Sequence, residues 1–307
     1  MSRPADFRRI MVPLDGSRLA ESVLPMVTLL ARDLGAQIWL LHVVEERPPQ
    51  AVHGEPHLTS AAAAEAYLAD VAARLGPGLA VETHVHSHQE PNVAASIALH
   101  VVELRADMIA FCTHGPNDVR RVVAGSMGQQ VGRRATIPVL LVRPQQRAPA
   151  QIGQLLVPLD GTPAAANALP VAATLARACG AGIRLVRVVP TVGTLTGDDA
   201  ISSRLTPTAT AATLDAEQEQ AQTDLAAAVE QLAAAGIPAR AEVRRGDPTR
   251  MLVEAAQTAT DLIVIAGHGR TGLGALWVGS VAAGVVNKAP QAVLLVPVAE
   301  AAPATKR

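Results

Sequence analysis

A motif that the chain spells twice constrains its fold more than any other feature. Residues 107–126 read D-M-I-A-F-C-T-H-G-P-N-D-V-R-R-V-V-A-G-S, and residues 261–280 read D-L-I-V-I-A-G-H-G-R-T-G-L-G-A-L-W-V-G-S. In each, an apolar run ends in His-Gly, nine residues follow, and Gly-Ser comes next. A strand, a glycine-bearing turn and a helix start are the parts of a phosphate site built from backbone N–H groups. The repeat extends well beyond the motif. Residues 10–17 (IMVPLDGS) match 155–162 (LLVPLDGT) at an offset of 145, and 30–35 match 175–180 at the same offset. The offset is 157 at Pro91 and Pro248 and 154 at Gly115 and Gly269. The second half therefore carries an insertion in its middle, and the first has three extra residues between Pro91 and Asp107. A polar, proline-bearing stretch at 143–152 separates the halves, which places the expected domains at 1–146 and 152–300.

Each half reads as strands alternating with helices. The expected strands lie near 9–14, 37–44, 80–86, 107–112 and 138–142, then near 154–159, 182–189, 239–245, 261–266 and 291–296. Short apolar runs alternating with helical segments predict an α/β fold, two tandem domains each built on a parallel sheet with helices on both faces. Hydrophobic residues make up 49% of the chain but aromatics only 2%, so the core is Ala, Val, Leu and Ile, as suits helices packed tightly on a parallel sheet. Gly35 and Gly180 stand where a helix end calls for a left-handed residue. Residues 190–213, rich in Thr, Gly, Ser and Asp, show no period and read as a mobile loop. Leaving the C-terminal end of a strand, that loop either covers a ligand or is an insertion without a role.

Charge and composition exclude several classes. A net charge of −1 and few aromatics argue against a nucleic-acid binder. No run approaches the roughly 18 apolar residues of a membrane span. Residues 1–9 are polar and run into a strand, unlike a signal peptide. Cys112 and Cys179 occupy non-equivalent places in the halves, suggesting no disulfide framework and a cytoplasmic address.

In an open parallel sheet, ligands bind beyond the C-terminal strand ends where strand order reverses. Asp15 and Asp160 stand at the ends of the first strands, and the His-Gly turns at the ends of the fourth. If strands one and four are neighbours, each aspartate faces its glycine turn across one crevice. There it can accept ribose hydroxyls or hold a divalent cation beside phosphates. Gly-Ser at the next helix start adds N–H donors and a hydroxyl. The alternative is that Asp-Gly merely caps the first helix.

With these elements present twice and in order, the chain resembles a tandem universal stress protein. The family's pattern is G-x-x-G, nine residues, then G-S or G-T, after a V-P-x-D-x-S-type first strand; the resemblance runs from Arg9 to Arg143 and from Gln154 to Pro297. It implies Rossmann-like sheets of order 3-2-1-4-5, similar to the adenine nucleotide alpha hydrolases, and an ATP site, with or without magnesium. Carried over to the second half, that site comprises Pro158, Asp160, Val188, Ala266, Gly269, Arg270, Gly279, Ser280 and Val281, with Asp160 the candidate metal ligand. In the first half the matching positions are Pro13, Asp15, Val43, Gly115, Gly125, Ser126 and Met127. The valines would offer backbone groups to adenine. The halves depart from the pattern unequally. Its first glycine is Ala266 in the second half but Cys112, a bulkier thiol, in the first. After its second glycine the second half has Arg270-Thr-Gly, whereas the first has Pro116-Asn-Asp. The lost donor and added carboxylate each cost on the order of 1 kcal/mol, together roughly tenfold to a hundredfold in affinity. The second half is thus expected to bind ATP, and the first weakly or not at all.

Other candidates weigh less. His84, His86 and His88 alternate along a strand and read as a surface-facing stripe rather than a metal site, since no further ligand accompanies them in sequence. His114 and His268 read as turn residues, Cys112 as an unreactive thiol, and Trp277 as a packing residue. There is neither a Walker A sequence nor a Ser-His-Asp arrangement. The last strands, 138–143 and 292–297, are apolar edge strands of the kind rarely left bare. In the family such strands pair across a dimer; here the halves would pair within one chain as a pseudo-dimer, with room for further self-association. The leading reading is a regulatory stress protein responsive to nucleotide and acting on a protein partner. A nucleotide-independent interaction module and a slow metal-dependent nucleotide hydrolase or phosphotransferase centred on Asp160 are the alternatives.

Overall fold

The computed structural model describes residues 6–113, 137–195, 201, 205–267 and 279–298. In the first half, β1 (Arg9–Pro13) leads through α1 (Arg18–Glu21) and α2 (Leu24–Leu34) to β2 (Gln37–Glu45). A two-stranded hairpin follows, β3 (Ala51–Val52) and β4 (Glu55–Pro56). Then come α3 (Ala61–Arg74), β5 (Val81–Glu90), α4 (Val93–Glu103), β6 (Met108–Cys112) and β7 (Val139–Val142). The second half has β8 (Gln154–Pro158), α5 (Pro163–Ala166), α6 (Ala168–Cys179) and β9 (Gly182–Val189). It continues with α7 (Pro207–Ala234), β10 (Ala239–Arg245), α8 (Pro248–Ala256), β11 (Leu262–Gly267), α9 (Ser280–Lys288) and β12 (Ala292–Pro297).

Ten strands form one sheet in the order β10-β9-β8-β11-β12-β7-β6-β1-β2-β5. Neighbours within each half run parallel, and strands one and four are adjacent in both, β1 beside β6 and β8 beside β11. The halves meet where β12 and β7 pair antiparallel, with Leu294 opposite Leu140. The last strands are therefore at the middle of the sheet, each covering the edge of the other.

Alternation along the strands sends residues to two layers of core. Val12, Leu40, Leu140, Val157, Leu185 and Leu294 pack with Leu30 of α2, Leu68 of α3, Leu175 of α6 and Leu225 of α7. Met11, Leu41, Ile109, Leu156 and Ile263 face the other way, onto Ile97 of α4, Leu252 of α8 and Val285 of α9. Helices α2 and α6 each end at a left-handed glycine, Gly35 (φ +62°) and Gly180 (φ +66°).

Three expectations need correction. The loop expected to run to Thr213 gives way to helix at Pro207, whose fixed φ suits a first turn; Thr210 and Thr213 return their hydroxyls to the carbonyls of Thr206 and Ala209. Strand β5 extends to Glu90, four residues past its expected end, because Glu45 of β2 keeps pairing with it beyond a register shift. The histidines of β5 are not a solvent stripe: His84 and His86 are half-buried, and only His88 is exposed.

Candidate functional site

The second-half site is built on a turn. Strand β8 ends at Pro158, and the Leu159 N–H donates to the Val186 carbonyl at 2.9 Å, which holds the next residues against β9. Asp160 Oδ1 then accepts from the Thr162 N–H at 2.9 Å and from its hydroxyl at 2.6 Å. The Thr162 hydroxyl oxygen in turn accepts from the Ala165 N–H at 3.1 Å, capping α5. Capping thus falls to Thr162, while Asp160 is fixed by the turn with Gly161 at φ +85°. Behind that turn the Arg187 guanidinium lies where a Cβ on Gly161 would meet it at 2.7 Å, and Asp224 of α7 anchors it at 2.7 Å.

Across the crevice, β11 ends at Ala266 and Gly267, and α9 starts at Ser280 with Gly279 as its N-cap. A helix start leaves N–H groups without intrahelical partners, and Gly279 brings no side-chain acceptor to them. Between turn and helix lies a cleft of about 230 Å³. Seven of the residues singled out from sequence line it: Pro158, Asp160, Val188, Ala266, Gly279, Ser280 and Val281. Gly269 and Arg270 lie outside the described residues. The apolar walls formed by Val186, Pro248, Leu252 and Ile265 were not foreseen. Val186 alone had a signal, standing two residues before Val188 on the same face of β9.

The first half repeats the turn. Asp15 Oδ1 accepts from the Ser17 N–H at 2.9 Å and the Ser17 hydroxyl at 2.7 Å, and Ser17 caps α1 through the Ala20 N–H. Its surroundings differ because the 51–58 segment folds over it. His53 Nε2 stands 3.7 Å from Asp15 Oδ2. Glu55 accepts the Arg18 N–H at 2.6 Å, a bond that Pro163 could not donate in the other half. Leu58 sits 2.9 Å from where a Cβ on Gly16 would be, the place Arg187 takes beside Gly161. Pro13 closes β1 and Val43 is buried in β2, while Gly115, Gly125, Ser126 and Met127 lie outside the described residues. His114, Pro116 to Asp118, His268, Thr271, Gly272 and Trp277 also lie outside them. Cys112 ends β6 as expected, and burial pushes its thiol up to about 12.

Two features of the histidines escaped the sequence reading. His100 of α4, 4% exposed, packs against His84 and His86 of β5 with ring centroids 4.8 and 5.1 Å away. His42, buried in β2, has Nδ1 2.7 Å from the Leu14 carbonyl. Among the described residues, no group of three or more His, Cys, Asp or Glu is posed to hold a metal ion. Nor is any described helix long and apolar enough to cross a membrane.

Comparison with known proteins bears on the family and the fold. The sequence model of the universal stress protein family matches residues 6–143 and again 152–297. Among solved structures, the chain is similar to a universal stress protein from Pseudomonas aeruginosa UCBPP-PA14, with 19% identity over 95% of this chain and 94% of that one and a TM-score of 0.63. It is similar to a functionally unknown protein from Pseudomonas aeruginosa PAO1, with 19% identity over 95% and 93% and a TM-score of 0.64. It also resembles a universal stress protein from Archaeoglobus fulgidus DSM 4304, with 16% identity over 95% and 97% and a TM-score of 0.64. At these identities the likeness is one of fold, and it spans both halves in tandem. No curated protein matches the chain.

Proposed function

The chain belongs to the universal stress protein family, and from that footing we propose that it binds ATP in the cleft of its second half and acts as a nucleotide-responsive regulatory module in the cytoplasm. One observation carries this reading. Residues from four separate segments, Pro158 and Asp160, Val188, Ala266, and Gly279 to Val281, converge on a single cleft. Chance would not gather the positions of one binding pattern into one place.

Each wall has a chemical role. The apolar side formed by Val186, Val188, Leu252 and Ile265 suits the faces of a planar base. Asp160, held by Thr162, presents a fixed carboxylate suited to ribose hydroxyls. The start of α9 favours phosphate through its N–H groups, its dipole and the Ser280 hydroxyl. Magnesium carried in with the nucleotide would have Asp160 as its carboxylate ligand and would serve to neutralise phosphate charge. The cleft lining described holds no second carboxylate and no histidine to act as a general base, which favours binding over turnover.

The first half is the weaker site in this proposal. His53 beside the Asp15 carboxylate and Glu55 at the Arg18 N–H place the chain's own groups where a ligand would compete. Calorimetry with ATP on the intact chain tests both parts, with one nucleotide per chain expected and none for Gly279→Val. No binding by the wild type overturns the proposal, and two equal sites overturn its asymmetry.

A further inference from the structure

The chain has nine histidines, and eight of them, from His42 to His114, lie in the first half. Histidine is the side chain whose ordinary titration falls between pH 5 and 8. Two halves alike in fold are therefore unlike in what protons can do to them.

Four of the eight form one cluster. His84, His86 and His88 alternate along β5, and His100 rises from α4 to meet them. His84 and His86 lie 4.8 and 5.1 Å from His100, and His88 is 6.0 Å from His86, between ring centroids. Carboxylates stand at its ends. Glu90 of β5 is 3.0 Å from His86 Nε2, and Glu103 of α4 is 3.8 Å from His100 Nε2. On the adjoining strand β2, Glu45 is engaged by His57 at 3.4 Å, and Glu82 at the start of β5 accepts from the Gln37 amide. Helix α3 covers the opposite face of β5, where Val81 and Val85 join its core.

His100 Nδ1 lies 2.7 Å from the Ser96 carbonyl, which makes it a donor and leaves Nε2 as the atom that takes a further proton. Glu90 and Glu103 can balance charge on His86 and His100. Glu103 also favours a proton on His84, but burial first, and then the nearby rings of His100 and His86, outweigh it and hold the His84 pKa below the ordinary imidazole value. A charge on His84 would lie half-buried against the rings of His100 and His86, both of which disfavour it. Relief comes from parting α4 from β5, which is the last strand of the sheet and, among the described residues, pairs with β2 alone. Among its described residues the second half has nothing comparable. Ala241, Val243 and Arg245 stand at the repeat positions on β10, and on α8 Arg250 pairs with Glu254 at 3.0 Å.

We propose that the first half is the chain's proton sensor: on acidification from pH 7.5 to 5.5, proton uptake at His84, set against the neighbouring rings of His86 and His100, loosens α4 from β5, while α8 and β10 of the second half stay packed. The sign follows from linkage. His84, held below the ordinary value, binds fewer protons closed than open, so opening grows as pH falls, by up to about tenfold per pH unit for that one proton.

Hydrogen exchange on the intact chain at pH 7.5 and 5.5, corrected for the intrinsic rates, tests this without reference to any nucleotide. Exchange across residues 81–103 is expected to rise at least about tenfold and across 239–256 less than about twofold. The response should shrink to below about threefold in H84Q/H100Q. Should that double variant fail to fold, His84→Gln alone, at a half-exposed position, carries the same test. An equal response in both halves, or an undiminished response in the variants, overturns the proposal. So does a stoichiometric zinc complex lost in His100→Gln, which would give the cluster a metal in place of the proton.

Discussion

Leu140 and Leu294 are partners across the central strand pair and counterparts in the repeat, 154 residues apart. The flanking pairs, Leu141 with Val293 and Val139 with Leu295, exchange with one another under the same relation. A pseudo-two-fold axis therefore passes through the two leucines, an isologous interface within one chain. Perfect symmetry ends two residues on. Arg143 donates to the carbonyls of Val286 and Asn287 near the end of α9, whereas Pro297, at the equivalent place, has no donor to return.

Both leucines are fully buried, so Leu140→Ala and Leu294→Ala are each expected to cost about 2–5 kcal/mol. Because they are register partners, the double variant should depart from additivity by about 0.5 kcal/mol or more. Urea unfolding of the four proteins measures it; strict additivity would mean the halves do not rely on this pair.

Asp160→Ala removes two bonds to Thr162 along with the carboxylate facing the cleft. ATP affinity is expected to fall at least about tenfold, which is ~1.4 kcal/mol, while Asp15→Ala changes it less than about twofold. A titration in which Asp15→Ala does the greater damage would exchange the roles assigned to the halves.

Gly284 brings α9 against α8: a Cβ there would lie 2.6 Å from Thr249 Cγ2 and 2.7 Å from its Oγ1. Gly284→Ala should cost about 1–3 kcal/mol by forcing the helices apart, and should weaken ATP binding because both helices border the cleft. Thr249→Ala in the same chain should restore most of the loss in thermal unfolding. If it restores nothing, close packing is not the cause.

Acid should weaken the fold through His42 as well. Burial, the largest influence, holds its pKa below the ordinary value, and Nε2 is buried with no hydrogen-bond partner among the described residues. The folded state thus binds fewer protons than the unfolded one, so stability is full above the unfolded pKa near ~6.5 and falls as pH drops toward the folded value. The slope is at most ~1.4 kcal/mol per pH unit for this one proton. Urea midpoints between pH 8 and 5.5 should show a shallower slope in His42→Gln than in wild type.

Burial pushes the thiols of Cys112 and Cys179 up to about 12. Neither should be alkylated appreciably at pH 8 while the chain is folded, and both should react in denaturant. Rapid modification of the native protein would show that one of them is accessible as thiolate.

The candidate site was legible where it rests on short-range spacing and illegible where it rests on packing. Asp160 stood out because a turn, a cap and a helix start must follow within a few residues. Leu252 and Ile265 did not, since an apolar residue lining a cleft looks like one filling a core. Hairpin β3–β4 escaped because strands of two residues, Ala51–Val52 and Glu55–Pro56, are too short to show alternation. His100 escaped because its partner His84 is sixteen positions away on another element.

The sequence by itself determined the ten strands of the main sheet to within a few residues at their ends, the two aspartate turns, the left-handed glycines and the family. These follow from sterics and hydrogen bonds among near neighbours, which any copy of the local sequence must satisfy. Tertiary structure alone decided that His53 would stand by Asp15 while Arg187 backs Gly161, that a buried histidine would complete the cluster on β5, and that Leu140 would settle opposite Leu294. Those contacts join residues far apart in the chain, and packing selects them only once the sheet has brought their elements together.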